Sequence, residues 1–128
     1  MRQFISLSIF AGLLIGIAGL VFLNVGGLGG AILFAFGLLA VTISKAELFT
    51  GKAGFLPYRE SLQLLPMVLL NATGCLITAY IASYSTSEVV ATTLDTIMAA
   101  REAASWDMLL MTSIGTGVIV TLAVYGVR

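Results

Sequence analysis

The sequence predicts an all-α integral membrane protein. Three observations predict it: a composition too apolar for an ordinary water-soluble domain, four apolar stretches set apart by glycine-rich or charged segments, and a polar interruption inside the second stretch. Of 128 residues, 59% are hydrophobic and 9% are charged, with a mean hydropathy of +1.10. Such a chain finds its natural solvent in lipid, and the whole of it, residues 1–128, reads as a single membrane domain.

The first apolar stretch covers residues 4–23. Met1-Arg2-Gln3 ahead of it resembles the charged start of a signal peptide. The run nevertheless has the roughly 20 residues that cross about 30 Å of hydrocarbon, and no A-x-A-like site closes it, so it predicts a retained helix. The second stretch, residues 28–43, is shorter and runs into Ser44-Lys45-Ala46-Glu47 before resuming with Leu48-Phe49-Thr50. A second helix that unwinds partway across, with a re-entrant loop over residues 44–54, is the expected geometry. Irregular backbone at membrane depth is tolerated only where protein buries it or where it lines a water-filled cavity. The alternative is a helix that ends at Ile43, followed by an ordinary surface loop. Helices are also expected over residues 60–83 and 107–127, and residues 86–105, which carry Glu88, Asp95, Arg101 and Glu102 among apolar residues without Gly or Pro, predict a helix lying at the interface.

In a four-span arrangement Arg2, Lys52, Arg59 and Arg128 fall on one side and Arg101 on the other. The excess of Lys and Arg puts both termini in the cytoplasm of a cell whose inner membrane the chain crosses several times. Lys45 and Glu47 are ionisable groups at membrane depth, where charge is costly and usually functional. Lys45 is expected either to pair with Glu47 or to reach water along its own stem. Small residues mark where helices touch: Gly12-x-x-x-Gly16 with Gly19, the glycines of residues 26–30, and Gly115 and Gly117. Self-association through glycine-lined faces follows as an expectation. A faint internal repeat relates Ser8-Ile9-Phe10-Ala11-Gly12 to Ser113-Ile114-Gly115-Thr116-Gly117, as inverted repeats do in transporters.

The composition also narrows the chemistry. Six Lys and Arg balance six Asp and Glu, with no basic stripe, which argues against a nucleic-acid partner. With Cys75 alone and no histidine, no metal-ligand cluster is expected. Nor does the sequence offer a nucleophile-base pair or a cofactor fingerprint, so neither an enzyme nor a bound cofactor is expected.

The segments Gly30-Ala31-Ile32-Leu33-Phe34-Ala35-Phe36-Gly37-Leu38, Ala46-Glu47-Leu48-Phe49-Thr50-Gly51 and Asn71-Ala72-Thr73-Gly74 are similar to motifs of the formate/nitrite transporter family. Those motifs are a helix of the form G-x-x-F-x-x-G-L, a re-entrant A-[ED]-L-F-T signature and an N-x-x-G in the third helix. The first has one residue more here between Gly30 and Phe34. The resemblance extends through the Arg101 to Gly117 segment and covers the first four of the family's six helices. It implies an aquaporin-like channel fold, assembly as a homo-pentamer, and passage of formate, nitrite, hydrosulfide or a similar monovalent anion or its weak acid. Phe34, Leu38 and Phe49 would then form apolar constrictions and Thr50 would offer a hydroxyl beside the pathway. Leu48 and Asn71 would also border it, and Arg101 would stand where family members carry a lysine that attracts anions. The family's fifth and sixth helices, its second loop and that loop's histidine have no counterpart in these 128 residues, and Gly117 stands where the family has Asn. Three functional accounts follow: a channel component completed by association, a truncated fragment that conducts nothing, or a structural or regulatory membrane subunit that binds a larger partner.

Overall fold

A computed structural model describes residues 2–54, 57–84 and 87–127. Arg128, used above for orientation, and Thr86, in the expected interfacial helix, lie outside the described residues. The described chain is helical, with no strand. Its helices are α1 (Arg2–Val25), α2 (Gly27–Ile43), the one-turn α3 (Phe49–Lys52), α4 (Leu64–Ser83), α5 (Glu88–Glu102) and α6 (Trp106–Val127), and a 3-10 segment, Tyr58–Gln63, leads into α4.

Three segments are long and apolar enough to cross a membrane: Arg2–Val25, Ser61–Ser83 and Trp106–Gly126. The second of the four expected apolar helices, Gly27–Ile43, also forms and is shorter than these three. With 17 residues, α2 rises about 26 Å, short of the hydrocarbon thickness. Large apolar side chains stand exposed along the helices, Leu28, Leu76 and Ile119 among them, which suits a lipid surround far better than water. Tyr80 and Tyr84 at the end of α4 hydrogen-bond through their hydroxyls at 2.6 Å, and Trp106 opens α6 almost fully exposed. Amphipathic aromatic rings of this kind sit well at a membrane-water boundary.

Only a glycine linker separates α1 from α2. Gly26 and Gly27 have φ of +64° and +53°, left-handed values that a side chain would oppose. The Gly26 N–H donates to the Phe22 carbonyl at 2.8 Å, and the chain folds straight back, bringing Gly30 against Phe22 and Gly37 against Ala18. The two helices are therefore antiparallel.

The core is the crossing of α1 with α4. The buried residues of α1 are Ser8, Ala11, Gly12 and Ala18, of which Gly12 meets α4 while Ala18 meets Gly37 of α2; Met67, Asn71, Gly74 and Thr78 form the buried stripe of α4. That stripe follows the three-and-four spacing of a single helical face. A Cβ on Gly12 would lie 2.1 Å from the Asn71 carbonyl oxygen, and one on Gly74 would lie 2.3 Å from that of Ile9. Backbone thus meets backbone, and only glycine permits it. Gly16 lies against Thr78, whose hydroxyl donates to the Gly74 carbonyl at 3.2 Å. Residue numbers rise together along the contact, so α1 and α4 are parallel. The expected use of Gly12 and Gly16 for self-association is corrected here, because α4 of the same chain occupies that face.

Elsewhere the glycines behave differently. Among the described residues Gly19, Gly115 and Gly117 have nothing within 4 Å of a notional Cβ, so they mark no helix contact there. The helix that carries the last two, α6, has no buried residue in its apolar window. It touches the rest through its final turns, where Val124 faces Gly51 and Thr121 faces Gly54. The two halves of the faint repeat thus have opposite environments. With Ser87 at its N-cap position but no side-chain capping bond, α5 places Glu88 in its first turn and Arg101 in its last, as the helix dipole favours. It rests on α1, with Val90 buried and the Ser87 hydroxyl 3.3 Å from Asn24 Oδ1.

Candidate functional site

The end of α2 is built into the chain. The Lys45 N–H donates to the Thr42 carbonyl at 3.2 Å and the Ala46 N–H to the Val41 carbonyl at 3.1 Å, the paired bonds of a Schellman cap. Ala46 packs on Val41 beneath them. The cap requires a left-handed residue, and here that residue is Lys45, with φ +54°. A lysine in this conformation costs about 1 kcal/mol that glycine would not. Helix termination is therefore local and active, and a continuous helix from Leu28 through Gly51 is not formed.

Beyond the cap the backbone has left the helical ladder, and its polar groups find partners on the two neighbouring helices. The Glu47 N–H donates to the Leu7 carbonyl of α1 at 3.3 Å. The 8% exposed Asn71 of α4 does the rest. Its Nδ2 donates to the carbonyls of Ser8 at 2.7 Å and Glu47 at 2.9 Å, while its Oδ1 accepts the Phe49 N–H at 2.8 Å. Both amide hydrogens and one of the oxygen's two lone pairs are used. The side chain joins α1, α4 and both ends of the interruption at one point. Ser8 lies six residues into α1, so the join is about 9 Å along the helix from its start. Val124 of α6 reaches the same region at Gly51. The start of α1 and the end of α6 therefore approach the same end of the bundle.

Beside the interruption is a cavity of about 390 Å³, within the size range of small-molecule sites. Its walls include Leu38 and Thr42 from α2, Leu48 after the cap, and Val124 from α6. Leu38 packs on the small cluster of Ala11, Val41 and Leu48. Lys45, Glu47 and Lys52 supply the charge. Glu47 pairs with Lys52 across the interruption, and the two side chains are 18% and 33% exposed. The pairing with Lys45, one of two expected outcomes, does not form; Lys45 is exposed at the cavity wall.

Four of the seven sequence-derived pathway residues gather at the cavity and at the join behind it. Leu38 and Leu48 are on the cavity wall. Asn71 and the Phe49 backbone make the join behind it. Phe34 is half-buried one turn back along α2, Thr50 is exposed, and Arg101 is exposed at the end of α5; none of the three lines the cavity. Lys52 and Val124 also stand on its wall, and neither is among the sequence-derived pathway residues. The spacing of Glu47 and Lys52 across a break was the available signal for the first; the second depends on how α6 returns and left no local mark. Among the described residues no group of three or more His, Cys, Asp or Glu side chains comes together as a metal site requires.

No family model, curated protein or solved structure matches the chain.

Proposed function

We propose that the chain is a membrane-embedded component of a pathway for small monovalent anions or their weak acids, of the formate, nitrite and hydrosulfide class. The interruption of α2 carries the proposal: a capped, non-helical segment held inside a helical bundle, bordering a cavity with both apolar and charged walls. Backbone polar groups are withheld from a helix in lipid only at several kcal/mol each unless satisfied elsewhere, and here Asn71 and Leu7 satisfy them. In this proposal the interruption is a re-entrant loop of a channel fold, and Leu38 and Leu48 present the apolar wall. A bare anion crosses such a wall poorly, so a weak acid passes in its neutral form. Phe34 and Phe49 would narrow the route on either side, Thr50 would offer a hydroxyl, and Arg101 would attract anions at the far end. The inner membrane, with both termini in the cytoplasm, is the proposed setting.

Purified protein in liposomes provides the test. Flux of formate or nitrite should exceed that of empty vesicles and rise as external pH falls. Folded protein that leaves vesicles impermeable to formate, nitrite and hydrosulfide across that range would overturn the reading.

The exposure of α6 favours a second reading, a membrane subunit that associates with another helical chain. In either case self-association, as a pentamer or otherwise, would use α6 and its open glycines. A chain that stays monomeric in lipid while conducting would separate the two.

A further inference from the structure

We propose that the cavity beside the interruption binds one monovalent anion between the ammonium groups of Lys45 and Lys52, with Glu47 as the resident counter-charge. The inference rests on the anion-pathway reading and adds to it the cations that select the charge. Three ionisable side chains line the cavity among the described residues, and all come from the interruption and α3. Two lysines and one glutamate, of which Lys45 is exposed, leave a net positive charge of one on a wall whose other residues are mostly apolar. An uncompensated charge in such surroundings favours a counter-ion. One monovalent anion completes the balance; a divalent one overshoots it.

The placement of both lysines argues for use. Lys45 occupies the left-handed position of the Schellman cap, where glycine would be unstrained, and strain of this kind is characteristic of functional positions. Lys45 lines the cavity wall. Lys52 is held by Glu47 across the break, with a third of its side chain still open. Glu47 orients Lys52 and also competes with an arriving anion for it. The cavity's 390 Å³ is an order of magnitude above the roughly 30 Å³ share of one water molecule, so a small anion enters with part of its hydration intact.

The experiment is a titration of the full-length protein in mild detergent with sodium formate or sodium nitrite at constant ionic strength, read by thermal unfolding. Wild type should be stabilised saturably. Lys52→Gln should weaken binding about tenfold, the equivalent of roughly 1.4 kcal/mol, and Lys52→Arg should retain it. Glu47→Gln should tighten binding, because the competing carboxylate is gone. Lys45→Gly relieves the strained backbone while removing a charge, so it should unfold at a higher temperature without ligand and yet bind the anion more weakly. That split is one a purely structural lysine would not produce. Absence of saturable stabilisation in wild type, or equal affinity in Lys52→Gln and wild type, overturns the inference. Binding without liposome flux would leave this site standing and remove the pathway reading; flux with unaltered affinity in Lys52→Gln would do the reverse.

Discussion

Glycine plays opposite parts at the two sides of this molecule. In the α1–α4 crossing, Gly12 and Gly74 let main chain touch main chain, with no room for even a methyl group. In α6, Gly115 and Gly117 look onto open space, and the helix is unburied along its apolar length. Both sets lie in apolar helices of similar length and would be indistinguishable by composition. Small residues in a membrane helix thus permit close packing without requiring it. The partner helix decides whether the permission is used: among the described residues α1 packs on α2, α4 and α5, whereas α6 meets the short α3 and Gly54 along its final turns.

The largest expected effect comes from breaking this contrast at its tight end. Gly74→Leu must displace the α1 backbone and should destabilise the fold by about 3 kcal/mol or more, at the upper end for overpacking. Gly117→Leu, with nothing nearby, should change unfolding by no more than about 0.5 kcal/mol. Thermal unfolding of the two variants in the same detergent makes the comparison. Equal losses would show that α6 is packed in the assembled protein and that the contrast belongs to the single chain alone.

A smaller effect is expected at the join between the crossing and the interruption. Asn71→Ala leaves the Phe49 N–H and the Ser8 and Glu47 carbonyls without their amide partner, and with water reaching all but one of them the cost is about 1–3 kcal/mol. Asn71→Asp is the sharper experiment. A carboxylate accepts from Phe49 but has nothing to donate to the two carbonyls, so it should be nearly as unstable as the alanine variant. If aspartate restores wild-type stability, the donated bonds contribute little and the single bond to Phe49 holds the interruption. Hydrogen exchange at residues 44–52 should accelerate in both variants well before exchange in the middle of α1 does.

The smallest effect distinguishes packing from hydrogen bonding within the crossing itself. Ser8 Oγ is fully buried and has no hydrogen-bond partner among the described residues. Ser8→Ala therefore removes an unsatisfied polar atom without opening a large space, and should be neutral or stabilising by up to about 1 kcal/mol. A clear loss of stability would mean that the hydroxyl is bonded in the folded protein, by a water or by a group brought by another subunit.

Much of this architecture depends on signals that are local in the chain. Apolar runs of spanning length specify helices wherever lipid is the solvent, because a backbone without water must bond to itself. The break after Ile43 is equally local: Ser44-Lys45-Ala46-Glu47 interrupts hydropathy, and the cap that forms there uses only residues 41–46. Proline is also placed as sequence rules ask, with Pro66 in the first turn of α4, where its missing N–H is harmless. By contrast, the site is assembled from contacts across long separations. Asn71 meets Ser8 across 63 residues and Glu47 across 24, and neither distance leaves a trace in periodicity. A three-bond amide and a packing amide look alike until the groups around them are placed. The same holds for Lys52, whose partner is known only once the chain has turned.

By itself, then, the sequence determined the helices, their approximate ends, the interruption of the second one and the lipid-compatible surface, since hydropathy and capping act over a few residues. Only the tertiary structure decided that Gly12 and Gly16 face α4, that Asn71 holds the interruption, that Glu47 pairs with Lys52, and that α6 stands largely alone. Each of those outcomes depends on which helix faces which. In an apolar chain that choice falls to the shapes of small residues and the few polar groups needing partners, quantities that acquire values only when distant segments meet.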